Sequence, residues 1–205
     1  MYTHSKQIIT AGTPVEQATK AIIMLHGRGA SAASVITLKN HLKLDDYAIF
    51  APQAKEHSWY PYSFMAPVTN NQPALDSALE IIDSLVADIM QKGITQENIY
   101  FLGFSQGACL TLEYVTRNAG RYGGVIAFTG GLIGEQLINS NYQGSFDQTP
   151  ILITTGDPDP HVPVSRVNDS MAIMQALHGN VTLKIYKGRQ HTISNEELVL
   201  ANAIL

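Results

Sequence analysis

The segment that spans residues 99–109 constrains the fold of this chain most strongly, because three structural signals follow one another within it. Residues 99–104 form an apolar run rich in β-branched and aromatic side chains, which predicts a strand buried on both faces. A Gly-x-Ser-x-Gly pattern occupies 103–107, and the apolar spacing of 108–115 is helical. The segment therefore predicts a strand, a sharp turn and a helix, with Ser105 at the apex of the turn.

Ser105 at this apex has the properties of a nucleophile. A turn this tight strains the backbone of its central residue, and Gly103 and Gly107 remove side chains that would collide with the neighbouring elements. The start of the helix directs the partial positive charge of free main-chain N–H groups towards an anion that forms beside the hydroxyl. An acyl-transfer nucleophile requires these features. A glycine-bounded turn without a chemical role is the alternative.

The composition limits the classes of protein that the chain can represent. It has 205 residues, of which 45% are hydrophobic and 15% charged, and it contains no low-complexity stretch. These values are typical of compact globular proteins and predict a single domain over residues 1–205. The net charge of −4 and the lack of a Lys/Arg-rich run argue against nucleic acid or an anionic membrane as the main partner.

Cysteine usage and the N-terminal segment favour a cytoplasmic location. The single cysteine, Cys109, cannot form an internal disulfide, and residues 1–7 are polar without the apolar core of a signal peptide. No apolar run approaches the roughly 18 residues that a membrane-spanning helix needs. We therefore expect no stable membrane insertion.

Strand and helix signals alternate along the chain. Predicted strands lie at 6–10, 20–25, 47–51, 99–104, 123–128, 150–155 and 181–186, and predicted helices lie at 32–42, 73–92, 108–115 and 164–177. The Ser194-x-x-Glu197 pattern is a capping box that begins a C-terminal helix. This alternation predicts an α/β fold with a mostly parallel central sheet and helices on both faces.

The strongest helix signal begins at Pro73, with Asn70 or Asn71 as its expected cap, and ends at Gly93. Its apolar stripe consists of Leu75, Ala78, Leu79, Ile82, Leu85, Val86, Ile89 and Met90. The preceding residues 53–72 have no period and are rich in aromatic residues and proline. A loop with so much apolar surface is expected to cover another part of the protein.

Chemistry-bearing residues collect in the loops that follow the predicted strands, and such loops meet at one edge of a parallel sheet. A serine nucleophile needs a base, and the base needs an acid that orients it. His191 is the predicted base because its loop lies between the last strand and a helix. Asp157 and Asp159 both follow a strand end, and their spacing does not distinguish between them. Serine, aspartate and histidine then occur in the chain order of a hydrolase triad.

Two main-chain N–H groups are expected to bind the oxyanion that such a serine generates. One belongs to Gln106, the residue after the nucleophile, and the other to Arg28 in the early strand-exit loop. The guanidinium of Arg28 has two alternative roles, a solvated surface charge or a partner for an acidic group on the substrate.

A metal site is the main alternative use of the edge loops, formed by Asp157, Asp159, His161 and His191. No HExxH or paired-cysteine spacing supports it, so we predict no metal and no cofactor. Cys109 lies one helical turn beyond the nucleophile and is expected to pack as a small hydrophobic residue.

With these residues identified, the chain resembles the phospholipase/carboxylesterase family of α/β-hydrolases, which includes the acyl-protein thioesterases and small bacterial carboxylesterases. The resemblance covers nearly the whole sequence. It is carried by Leu25-His26-Gly27, Ala51-Pro52-Gln53, Trp59-Tyr60, Gly103-Phe104-Ser105-Gln106-Gly107, Thr129-Gly130-Gly131, Gly156-x-x-Asp159-x-x-Val162-Pro163 and Gly188-x-x-His191.

The resemblance implies an α/β-hydrolase fold in which Asp159, rather than Asp157, is the acid. It also implies that the loop around Trp59 borders the acyl pocket, and we predict substrate contacts for Trp59, Tyr60 and His26. Arg28 stands where thioesterase-like members usually have a small apolar residue. The 53–72 segment is also too short for an elaborate lid. Both differences favour small to medium acyl chains.

The sequence thus predicts a serine hydrolase that cleaves carboxylic esters or thioesters of small molecules through an acyl-enzyme. Alternatives are a lysophospholipase, an acyl-protein thioesterase, an acyltransferase, or a hydrolase-like module that only binds a ligand. The apolar residues 60–65 are compatible with either a pocket wall or a homodimer contact.

Overall fold

A seven-stranded sheet forms the centre of the protein, as a computed structural model of residues 2–205 shows. Met1, which begins the predicted domain, lies outside the described residues. The strands are β1 (Ile8–Gly12), β2 (Lys20–Leu25), β3 (Tyr47–Pro52), β4 (Ile99–Phe104), β5 (Gly124–Phe128), β6 (Pro150–Asp157) and β7 (Asn180–Lys187). Their order is β1-β3-β2-β4-β5-β6-β7, with β1 antiparallel to β3 and all other neighbours parallel.

Within residues 2–205, six α-helices accompany the sheet: α1 (Ala32–Ile36), α2 (Val68–Asn71), α3 (Ala74–Gln91), α4 (Gln106–Arg117), α5 (Val164–Ala176) and α6 (Asn195–Asn202). Side chains of β2 alternate between two apolar cores. Ala21, Ile23 and Leu25 share one core with α3, α4 and α5, and Ile22 and Met24 share the other with α1 and α6. The predicted α/β fold, with a mostly parallel sheet and helices on both faces, is confirmed.

Several local predictions need correction. The helix predicted over 32–42 is α-helical only as α1 and continues as a 3₁₀ helix over Thr37–His41, and α2 forms inside the predicted 53–72 loop. On α3, Met90 is 45% exposed although the sequence pattern predicts it on the apolar stripe, whereas Ile81 is buried. The physical reason is that Met90 lies at the edge of the buried stripe and only one residue before the end of α3.

The expected asparagine cap of α3 is also wrong. Pro73 is the cap residue and gives no side-chain cap. The side chain of Asn71 is buried instead, where its Oδ1 accepts from the Tyr62 N–H at 2.9 Å and its Nδ2 donates to the Ser63 oxygen at 2.9 Å. A buried amide satisfied by two main-chain groups stabilises the loop rather than the helix.

None of the helices formed by residues 2–205 has both the length and the apolar character needed to cross a membrane.

The aperiodic segment 53–72 packs its apolar side chains inward, since Trp59, Tyr60 and Phe64 are all buried. The expectation that this loop covers another part of the protein is therefore confirmed.

The turn between β4 and α4 depends on two close backbone approaches. A β-carbon on Gly107 would lie 2.1 Å from the main-chain oxygen of Leu25 at the end of β2. A β-carbon on Gly103 would lie 2.3 Å from the main-chain oxygen of Gly107. Because both obstacles are backbone atoms, neither can move aside as a flexible side chain would.

Replacement of Gly107 by alanine is expected to destabilise the protein by about 1–3 kcal/mol or more, since the added methyl group forces β2 and α4 apart. Urea unfolding monitored by circular dichroism measures the change. An unchanged unfolding midpoint would contradict the close approach.

Candidate active site

Ser105 lies at the apex of the turn between β4 and α4, with a strained backbone at φ 55° and ψ −118°. A non-glycine residue rarely adopts positive φ, and such strain is concentrated at functional sites. The Ser105 N–H donates to the Phe128 oxygen at 3.0 Å, which ties the apex to β5. The turn therefore presents the hydroxyl at the carboxyl edge of the sheet.

His191 and Asp159 meet Ser105 in one chain of hydrogen bonds. The Nε2 atom of His191 lies 2.8 Å from Ser105 Oγ, and its Nδ1 atom lies 2.8 Å from Asp159 Oδ2. The structure thus brings together three predicted residues from the loops that follow β4, β6 and β7. This order of hydroxyl, imidazole and carboxylate can activate a serine for attack.

The surroundings of Asp159 favour its ionised carboxylate, the form that this chain of hydrogen bonds requires. Burial favours its neutral form, but hydrogen bonds from His191 and from the N–H groups of His161 and Val162 outweigh burial and lower the pKa of Asp159. Both N–H groups reach Oδ1 at 2.9 Å. Asp157, at the end of β6, is exposed instead. Of the two carboxylates that the spacing left open, only Asp159 contacts the histidine.

A buried ion pair fixes the loop that carries His191. Arg189 Nη1 lies 3.5 Å from Glu197 Oε2, with side-chain exposures of 8% and 0%. The same guanidinium donates to Thr129 Oγ1 at 2.8 Å and to the Thr192 oxygen, and the other Glu197 oxygen accepts from Thr154 Oγ1. The predicted capping box at Ser194 is present as well. Sequence reasoning identified Glu197 only as a cap, and no local signal pairs it with Arg189.

The two N–H groups expected to bind an oxyanion are next to Ser105. Gln106 is the first residue of α4, and Gly27, which precedes Arg28, packs so closely that its β-carbon would lie 3.5 Å from Ser105 Cβ. Among residues 2–205, neither the Arg28 nor the Gln106 N–H finds an acceptor in the protein. Two free donors, one of them at the start of α4, provide a positive site for an anion.

Arg28 is exposed, in agreement with the surface-charge alternative, and its guanidinium also binds the main chain of a neighbouring segment. Its nitrogens donate to the main-chain oxygens of Tyr60, Pro61 and Tyr62 at 2.9, 2.8 and 2.7 Å. The Gln106 side chain contacts the same segment, accepting from the Trp59 N–H at 2.9 Å and donating to the Tyr60 oxygen at 2.8 Å. Both side chains therefore fix residues 59–62 beside Ser105.

Trp59 and His26 are buried behind the segment 60–64, which forms one wall of the cavity at Ser105. Trp59 is fully buried and its Nε1–H donates to the His26 oxygen at 2.8 Å. His26 Nε2 accepts from the Ala54 N–H at 3.1 Å, and burial lowers the pKa of this histidine. Tyr60 does line the cavity. Of the three residues predicted to contact substrate, Tyr60 thus lines the cavity, whereas Trp59 and His26 pack behind its wall.

A cavity of about 520 Å³ opens at Ser105, a size within the range of small-molecule sites. Its walls come from segment 60–64, from the turn at Ser105 and from the loop after β6. The lining residues are Arg28, Tyr60, Pro61, Tyr62, Ser63, Phe64, Ser105, Gln106, Cys109, Pro160, His161, Val162 and His191.

The remaining candidates have simpler roles. Cys109 is fully buried, and burial raises its pKa to about 12, so it stays a neutral thiol, in agreement with the expectation of a packed small residue. Within residues 2–205, no group of three or more His, Cys, Asp or Glu side chains is arranged to hold a metal ion.

Comparison with known proteins gives three concordant findings. A crystal structure of a phospholipase/carboxylesterase from Dyadobacter fermentans DSM 18053 is 62% identical, covers 99% of this chain and 97% of that one, and has a TM-score of 0.98. Acyl-protein thioesterase 1 of Saccharomyces cerevisiae is 28% identical over 90% of each chain. The Kluyveromyces lactis protein of the same name is 30% identical over 60% of this chain, and the match spans only 56% of that relative.

The sheet, the strained serine turn and these structural likenesses define an α/β-hydrolase. More narrowly, the Phospholipase/Carboxylesterase family model matches residues 6–205, and the chain belongs to that family. The family resemblance drawn from the sequence motifs is confirmed.

Replacement of Glu197 by glutamine is expected to lower the free energy of unfolding by about 3 kcal/mol, because it leaves the buried Arg189 guanidinium without its counter-charge. Glu196→Gln is the matched control, since Glu196 is exposed and its 3.8 Å pair with Lys184 contributes little. Chemical denaturation of the two variants measures the difference. Equal stability would show that the ion pair does not anchor the loop.

Proposed function

We propose that the protein is a serine esterase in which Ser105, His191 and Asp159 form the catalytic triad. The observation that carries the proposal is the pair of 2.8 Å contacts that His191 makes, one with the serine hydroxyl and one with the carboxylate. We further propose that residues 1–205 act as a single catalytic domain, since all seven described strands belong to one sheet.

The reaction begins when Ser105 Oγ attacks the ester carbonyl carbon while His191 Nε2 accepts the hydroxyl proton. The carbonyl electron pair moves onto oxygen, and the N–H groups of Arg28 and Gln106 donate to the resulting oxyanion. As the carbonyl re-forms, the bond to the leaving alcohol or thiol breaks and His191 returns the proton to it. Asp159 accepts a hydrogen bond from His191 Nδ1–H and stabilises the imidazolium.

Water then completes the cycle. His191 removes a proton from water as the water oxygen attacks the acyl-enzyme, a second oxyanion forms at the same two N–H groups, and Ser105 leaves with the proton. The carboxylic acid departs, and the enzyme is restored without a cofactor. If an alcohol takes the place of water, the same residues carry out acyl transfer, so product analysis separates the two reactions.

Small to medium acyl esters are the substrates that the cavity favours. Its volume of about 520 Å³ is shared by the acyl and alcohol parts, and segment 59–62 is fixed across one side by Arg28 and Gln106. The yeast relatives are named acyl-protein thioesterases, which makes thioester cleavage the second candidate. The rates of hydrolysis of an ester and a thioester with the same acyl chain distinguish the two candidate activities.

Ser105→Ala is expected to reduce p-nitrophenyl butyrate hydrolysis by at least roughly a thousandfold and to abolish labelling by a fluorophosphonate, because the nucleophilic oxygen is lost. Initial rates and gel-based labelling measure the two effects. Labelling that persists in the variant would refute the assignment of Ser105 as nucleophile.

Asp159→Asn is expected to lower kcat roughly 10²- to 10⁴-fold, because an amide does not hold the histidine in the required tautomer or stabilise its charge. Asp157→Asn is the matched control two residues away, and its kcat is expected to stay within about twofold of the wild type. The reverse ranking of the two variants would assign the acid to Asp157.

A further inference from the structure

His161 is an exposed imidazole on the cavity wall that the proposed reaction does not use. It belongs to the loop after β6 and lines the cavity together with Ser105 and His191. Its main-chain N–H donates to Asp159, whereas none of the hydrogen bonds or ion pairs within residues 2–205 involves its ring nitrogens. Because an imidazole carries at least one N–H donor in either protonation state, this ring can bind a molecule in the cavity.

The main chain fixes His161 beside the proposed catalytic base. The ring centroids of His161 and His191 are 5.2 Å apart, and the two rings meet edge to face at 83°. The N–H groups of His161 and Val162 both donate to Asp159 Oδ1 at 2.9 Å. The loop of His161 is thus bound to the carboxylate that holds the base, which is the preorganisation that a selective contact needs.

The proposed reaction brings the leaving alcohol close to His161. To return the proton, His191 Nε2 has to lie within hydrogen-bond distance of the leaving oxygen. The oxyanion binds instead at the N–H groups of Arg28 and Gln106, whose side chains bind a different wall of the cavity. The alcohol part of the ester therefore begins beside His191, within reach of His161.

The charges on the cavity walls favour an anionic group. Within residues 2–205, the lining side chains include Arg28, His161 and His191 but no Asp or Glu. The carboxylate of Asp159 is 0% exposed and accepts hydrogen bonds from the protein. The cavity thus differs in sign from the chain, which has a net charge of −4. A cleft lined by positive groups attracts anions, and a cationic group would find no exposed carboxylate on these walls.

We propose that the substrates are esters whose alcohol part carries a carboxylate, that is O-acyl hydroxy acids, and that His161 donates a hydrogen bond to this carboxylate. The proposal rests on the esterase function of Ser105 and narrows its substrate class. His161 is then a specificity-determining residue. The reaction remains hydrolysis, in which the hydroxy acid leaves with the proton that His191 returns.

The test uses phenyl butyrates that carry a carboxylate at the meta or para position of the ring, and the matching carboxamides, which have nearly the same shape without the charge. For each position, kcat/KM of the carboxylate ester is divided by that of the carboxamide ester, measured from the absorbance of the released phenol. Comparison between enzymes cancels the intrinsic reactivity of the esters. For at least one position, the ratio is expected to fall about five- to tenfold in His161→Leu, the loss of one hydrogen bond.

Two further variants make the result specific. His161→Arg keeps an N–H donor with a positive charge at the same place and is expected to keep the ratio at or above the wild-type value. His41→Leu removes an exposed histidine that ends the 3₁₀ helix Thr37–His41 and does not line the cavity, and is expected to keep the wild-type ratios. Thermal unfolding verifies that each variant is folded.

Equal ratios in the wild type and His161→Leu at both ring positions would overturn the proposal. So would a fall in His161→Arg as large as that in His161→Leu, because packing rather than N–H donation would then be responsible, and so would an equal fall in His41→Leu. Failure of the proposed esterase function is a different result, in which the wild type hydrolyses all four esters no faster than Ser105→Ala does.

Discussion

The contact between the first turn of α4 and the end of β2 is the constraint on which the rest of the site depends. Gly107 allows it, because any side chain there would overlap the main-chain oxygen of Leu25. The close approach brings the loop after β2, with its free N–H at Arg28, to the side of Ser105. The proposed nucleophile and the proposed oxyanion donors are therefore positioned by backbone packing rather than by flexible side chains.

Around this centre, long-range side-chain contacts fix the more irregular segments. Arg28 and Gln106 are each proposed to have two functions, with the main-chain N–H as an oxyanion donor and the side chain bound to the segment 59–62. On the opposite side, the buried pair of Arg189 and Glu197 links the loop of His191 to α6. In both places a side chain from a distant part of the sequence binds polar groups of an irregular segment and fixes its position.

Particular residues show how far sequence reasoning extends. The strands, the turn at Ser105 and the capping box at Ser194 follow from local patterns, and the structure contains all three. Asn71 is a contrasting case, because an asparagine before a helix has the pattern of a cap, yet its amide satisfies two loop groups instead. A local pattern identifies what a side chain can bind but not which of several partners the fold brings to it.

The sequence by itself determined the alternation of strands and helices, the serine at a glycine-bounded turn and the order of candidate residues along the chain, because periodicity and turn chemistry are local properties. Local spacing left Asp157 and Asp159 open and the family resemblance implied Asp159, but the tertiary structure shows the contact of Asp159 with His191. Only the tertiary structure decided that the Arg28 guanidinium binds loop carbonyls and that Trp59 is buried behind the cavity while Tyr60 lines it. These outcomes depend on distances between segments far apart in the chain, which packing of the whole sheet and its helices sets.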